Sequence, residues 1–129
     1  MEASGTFTVS LSPLGPYAES SQGIQLGRMS IDKTFSGDLS ANSKGEMLNA
    51  MAPIAGSAGY VAIELVSGVL QQKSGSFALQ HYGTMAAGAQ HLVVEVVPGS
   101  GVGELSGLSG IMTIRIEAGQ HFYHFDYQL

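Results

Sequence analysis

The stretch GYVAIELVSGVLQQKSGSFALQHYGTMAAGAQHLVVEVV, residues 59–97, contains three runs of β-branched and apolar residues broken at Gln72-Lys73 and Ala87-Gly88. Runs of this length and composition with short polar or glycine-containing breaks read as successive antiparallel strands joined by hairpins. Residues opposite one another in an antiparallel pair project from the same side, so the hairpins sort the side chains. A two-residue loop at Gln72-Lys73 sets Val66 opposite Leu79 and Glu64 opposite His81. A four-residue loop at Ala86 to Ala89 then sets Leu79 opposite Val96 and His81 opposite Val94. One face collects Tyr60, Val66, Leu70, Phe77, Leu79, Met85, Leu92, Val94 and Val96. Ser76, Gln80, Thr84, His91 and Glu95 point the other way.

The rest of the chain follows the same grammar. Thr6 to Ser12 alternates Phe7, Val9 and Leu11 with polar residues and is expected to stop at Pro13. Further strands are expected at about 26–36, 38–47, 110–117 and 120–128, with long loops at Gly15 to Gly23 and Leu48 to Ala58. The last hairpin turns at Ala118-Gly119 and places Met112, Ile114, Ile116, Tyr123, Phe125 and Tyr127 on one side. A Gly-x-Leu step followed by Ser and Gly recurs at Gly37, Gly68 and Gly103, as bends at similar corners of one sheet would require. No amphipathic helix of useful length is present.

Composition narrows the possibilities. The 129 residues include 18 glycines and only 12% charged residues, which suits one all-β domain spanning 1–129. Ten acidic and five basic residues leave a net charge of -5, and the basic residues are scattered. Nucleic acid is therefore not an expected partner. No apolar run approaches membrane-spanning length and no signal-like amino terminus is seen, so the expectation is a cytoplasmic protein that does not enter a membrane. Without cysteine there can be no disulfide, thiolate chemistry or cysteine-based zinc site. His121 and His124 are three apart on a strand and project to opposite faces, so no metal site is expected, nor any cofactor. Asp32, Lys33, Asp38 and Glu46 read as a solvated rim that discourages edge pairing.

Eight antiparallel strands in meander order, with one apolar face, are best satisfied by a closed barrel, which removes both sheet edges. The segments Gly27 to Leu39, Ser43 to Met47, Gly59 to Glu64, Ser74 to Phe77, Leu79 to His81 and Gly103 to Gly110 resemble the domain-of-unknown-function 3224 family of bacterial proteins, over nearly the whole chain. That resemblance implies an allene oxide cyclase-like, eight-stranded antiparallel barrel, and it brings a fold without a reaction. Leu65 and His124 depart from the charged residues that the resemblance would place there.

The sharpest chemical feature is Glu64 beside His81 on an otherwise apolar face, with Tyr60 on the same side. A buried carboxylate would hold the imidazole in one tautomer, making Glu64 and His81 the candidate catalytic pair. The same two residues could instead merely satisfy each other. Tyr60, Phe77, Met85, Met112, Tyr123 and Phe125 are the candidate ligand-binding residues of a barrel that encloses a small apolar or amphipathic molecule. Alternatives are a cofactor-independent cyclase or isomerase using Glu64 and His81, or a filled barrel that acts by assembly. Val61, Ile63 and Leu65 form an outward apolar row that points to a homo-oligomer. Whether the protein is an enzyme is left open by the residues.

Overall fold

The computed structural model describes residues 1–129. Its elements are β1 (Glu2–Leu14), β2 (Gln25–Gly37), β3 (Leu39–Met51), β4 (Ala58–Leu70), β5 (Lys73–Ala86), β6 (Ala89–Val96), β7 (Val102–Gly103), β8 (Ser109–Glu117) and β9 (Gln120–Gln128). Consecutive strands pair antiparallel from β1 to β6, β6 pairs with β8, β8 with β9, and β9 returns to β1. The result is a closed eight-stranded barrel in meander order. The two-residue β7 is an extra strand laid against Gly75 and Ser76 of β5.

Three hairpins turn through two residues that both have positive φ: Gln71-Gln72, Ala87-Gly88 and Ala118-Gly119. This type I′ geometry matches the right-handed twist of the flanking strands. Gln71-Gln72 lacks the glycine or asparagine that usually marks such a turn, and the turn sits one residue earlier than the sequence reading placed it. Glu64 consequently lies opposite Leu79, and His81 opposite Ala62. The shift moves the partner by two residues, so every side chain keeps its face. The β5–β6 loop is tighter than expected, yet Leu79 still pairs with Val96 and His81 with Val94.

Two strands run further than the sequence reading placed their ends. Pro13 lies within β1, paired with Met29. Beyond Phe7 the strand has β2 as its only neighbour, so the missing N–H of Pro13 falls on a free edge. Leu48 to Met51 continue β3 because β2 and β4 both extend far enough to pair with them, leaving only residues 52–57 as the connection.

The inward faces divide the barrel into a filled half and an open half. In the filled half Phe7, Phe35, Leu39, Val66, Leu70, Phe77, Leu79, Val94, Met112, Tyr123, Phe125 and Tyr127 form one core cluster. Residues 98–108 fold over that end and bury Leu105 and Leu108 against it. Tyr123 fastens the wall here. Its hydroxyl accepts from the Leu39 N–H (2.9 Å) and donates to the Ser36 carbonyl (2.9 Å). Burial raises its pKa above the ordinary tyrosine value. Tyr123→Phe is expected to cost about 1–3 kcal/mol, because the buried Leu39 amide loses its acceptor. Urea denaturation checks this, and a loss below about 0.5 kcal/mol would contradict it.

Candidate functional site

Four consecutive strands each send one polar side chain into the middle of the barrel. These are Lys33 from β2, Ser43 from β3, Glu64 from β4 and His81 from β5, exposed by only 8%, 2%, 0% and 6%. Lys33 sits directly opposite Ser43. Glu64 is diagonal to both Ser43 and His81, a spacing that long side chains bridge across neighbouring strands. The Glu64 carboxylate accepts from the Lys33 ammonium at 2.8 Å and from the Ser43 hydroxyl at 2.6 Å, and His81 Nε2 approaches its Oε2 to 2.5 Å. The Lys33 ammonium also lies 4.8 Å from the Phe7 ring centroid and 5.8 Å from that of Phe35. Such aromatic faces favour a cation that has left water.

Room for this cluster comes from glycine. Gly45 is opposite Glu64, and a Cβ there would lie 2.8 Å from Glu64 Cβ. Gly83 is opposite Tyr60, and a Cβ there would lie 2.9 Å from the Tyr60 ring at Cδ1. The Tyr60 ring therefore lies down across the Gly83 backbone. Its hydroxyl comes to 3.5 Å from His81 Nδ1, extending the chain of polar groups to Glu64–His81–Tyr60.

Burial by itself would push the Glu64 carboxyl up. The hydrogen bond from His81, the charge and hydrogen bond of Lys33 and the hydrogen bond of Ser43 outweigh it and lower the pKa to about 2. A folded-state value below the unfolded one, 4.5, means that the ionised form stabilises the fold. The contribution is complete above pH 4.5 and is lost as pH falls from there toward about 2. It is on the order of 3 kcal/mol. Stability measured by urea denaturation should fall across that window in the wild type. The Glu64→Gln variant should lack this component, and an equal acid slope in both proteins would contradict the assignment. Tyr60 shifts the opposite way, raised first by burial and then by the negative charge of Glu64. Its phenol therefore keeps its proton beyond the ordinary tyrosine range.

Beyond Tyr60 the barrel opens. A cup of about 350 Å³ occupies the inner surface of β3 to β6 at the mouth, with Met47, Asn49, Tyr60, Met85 and Leu92 among its walls. Its rim is tied together at two points. The Tyr17 hydroxyl donates to the Asn49 carbonyl at 3.1 Å, and the Gly88 N–H donates to the Gly56 carbonyl at 3.1 Å. Tyr17, Met51 and Ile54 are exposed around this mouth.

The residues singled out from the sequence are thus distributed over two levels. Glu64, His81 and Tyr60 come together as one chain, and Tyr60 and Met85 line the cup. Phe77, Met112, Tyr123 and Phe125 sit in the filled half, where the Phe77 and Phe125 rings stack with centroids 6.0 Å apart. Lys33 and Ser43 complete the cluster and were not foreseen. Lys33, read as part of a solvated rim, is buried, whereas its neighbour Asp32 is exposed and paired with Lys44 at 3.0 Å. The signal was present in the alternation Met29, Ile31, Lys33, Phe35, which keeps Lys33 on the apolar face. Leu65 and His124 are both on the outer surface.

A search of curated proteins returned no match. Among solved structures, the chain is similar to a crystal structure of a protein of unknown function from the DUF3224 family of Shewanella oneidensis MR-1. The two are 54% identical, the match covers 100% of this chain and 96% of the other, and the TM-score is 0.97. Residues 3–127 also match the family described as "Protein of unknown function (DUF3224)". Matched over almost its full length, the chain belongs to the DUF3224 family.

Proposed function

We propose that the protein binds a small, largely apolar molecule in the open half of its barrel, with Tyr60 as the polar anchor. The observation that carries this reading is the division of the lumen. One half is packed and sealed by Leu105 and Leu108, while the other holds a cup of about 350 Å³ with a charged, buried cluster behind it. That volume lies within the range of small-molecule sites, and mostly apolar walls with a few convergent polar groups are their usual lining. A filled structural barrel has no need of the cup.

Native mass spectrometry of protein purified without added ligand, followed by titration with a fluorescent apolar probe, tests the reading. A retained small molecule, or saturable probe binding weakened at least about tenfold by Ala58→Trp, is the expected result. Ala58 lines the cup, and an indole there would occupy it. Absence of binding, or binding indifferent to Ala58→Trp, would remove the proposal.

A second reading, proton transfer on a bound substrate as in a cyclase or isomerase, is supported by the hydrogen-bonded chain from Glu64 through His81 to Tyr60. It needs turnover that Tyr60→Phe abolishes. Self-association belongs to the same proposal. Val61, Ile63, Leu65 and Tyr82 stand exposed on the outer face of β4 and β5, and Ile63 is 59% exposed. Ile63→Lys is expected to reduce the mass seen by light scattering to that of one chain, and an unchanged mass would exclude this face.

A further inference from the structure

The polar groups behind the cup have a fixed direction. Oε2 of Glu64 accepts from the Lys33 ammonium at 2.8 Å and faces His81 Nε2 at 2.5 Å. An ionised carboxylate oxygen can only accept, so Nε2 carries a hydrogen. One carboxylate already balances one ammonium here, and a second buried cation would lack a counter-charge. In a neutral imidazole with hydrogen on Nε2, Nδ1 is a bare acceptor. The Tyr60 hydroxyl lies 3.5 Å from Nδ1 and would donate its only hydrogen there in that tautomer. Of the five residues in this chain, Lys33, Ser43, Glu64, His81 and Tyr60, Tyr60 alone also lines the cup. With that hydrogen spent, the Tyr60 hydroxyl has only lone pairs left for a molecule in the cup. No Lys, Arg, Asp or Glu is among the residues lining the cup, where His91 is the one basic side chain, so a charged ligand would find no permanently charged partner there.

We infer that the buried Lys33–Glu64–His81 chain sets Tyr60 as a hydrogen-bond acceptor toward the cup, and that the ligand is an uncharged apolar molecule carrying a hydroxyl or N–H donor. This rests on the small-molecule reading above and adds the polarity of the group recognised. Lys33 and Ser43 are positioning residues in this scheme. They hold the carboxylate that orients the imidazole, which in turn orients the phenol.

Two measurements test it. Nitrogen NMR of the imidazole of His81 in the ligand-free protein reads the tautomer directly. Hydrogen on Nε2 is expected, and hydrogen on Nδ1 would overturn the inference whatever binds. Titration with hexanol, its isomer methyl pentyl ether, and hexanoate then reads the polarity of the cup, followed through the backbone amides of Tyr60 and Gly83. Hexanol is expected to bind roughly three- to tenfold more tightly than the ether, the worth of one hydrogen bond, and hexanoate more weakly than hexanol. Tyr60→Phe should bring the alcohol-to-ether ratio close to one. Glu64→Gln combined with Lys33→Met, which leaves no stranded charge, should diminish or invert it, because the amide can donate to Nε2 and release the Tyr60 hydrogen to the cup. If all three probes bind alike, the inference falls and the small-molecule reading stands. If none binds, both fall.

Discussion

Glu64→Ala is expected to lower the free energy of unfolding by about 3–5 kcal/mol, the range for removing one partner of a buried ion pair. The loss comes less from the bonds removed than from what they leave behind. Lys33 would keep its ammonium beside the rings of Phe7 and Phe35 with no carboxylate in reach. The Ser43 hydroxyl and His81 Nε2 would lose their acceptor in the same step. Lys33→Met added to Glu64→Ala removes the stranded charge and should restore at least about 1 kcal/mol, so the two changes are far from additive. Urea denaturation followed by far-ultraviolet circular dichroism gives all three values. A loss below about 1 kcal/mol for Glu64→Ala, or strict additivity in the double variant, would mean that the pair is not buried as described.

Phe125→Ala is expected to cost about 3–5 kcal/mol for a different reason, the cavity left in a packed core. Phe125 has no solvent exposure. It stacks on Phe77 at 6.0 Å and on Tyr127 at 5.2 Å between centroids, so no neighbour can swing in without unstacking another. Against a total stability of about 5–15 kcal/mol, such a loss should lower Tm by roughly 10 °C or more. Ile63→Ala on the outer face is the control and should change the stability of the isolated chain by less than about 0.5 kcal/mol. Thermal unfolding of the two variants side by side is the check. A Phe125→Ala protein as stable as the control would show that the sealed half is not tightly packed.

The two effects lie at different levels of the same lumen. Hydrophobic packing around Phe77 and Phe125 closes one half and holds the wall at a fixed radius. The ionic cluster above it is tolerable only because each of its charges has a partner, and it adds little net stability over an apolar replacement of the same shape.

Much of this architecture was legible in the residues themselves. Period-two alternation in Tyr60 to Leu70, Phe77 to Met85 and Met112 to Tyr127, with glycine at most corners, determined the strands, their faces and the closed meander, because side-chain alternation along a strand depends only on local backbone geometry. Parity also brought Glu64, His81 and Tyr60 to one side, and the two-residue change of partner that follows from the Gln71-Gln72 turn could not undo it. Local pattern could not say how far along the barrel each inward residue lies. Phe77, Met112, Tyr123 and Phe125 share a face with Tyr60 and Met85, yet residues 98–108 seal one end and leave the other open. Nor could it bring Lys33 and Ser43 to Glu64, since that meeting spans β2, β3 and β4 and depends on strand stagger. The alternation of a strand is a property of its own backbone. The depth at which two strands' residues meet is a property of the closed sheet, and only the tertiary structure decided it.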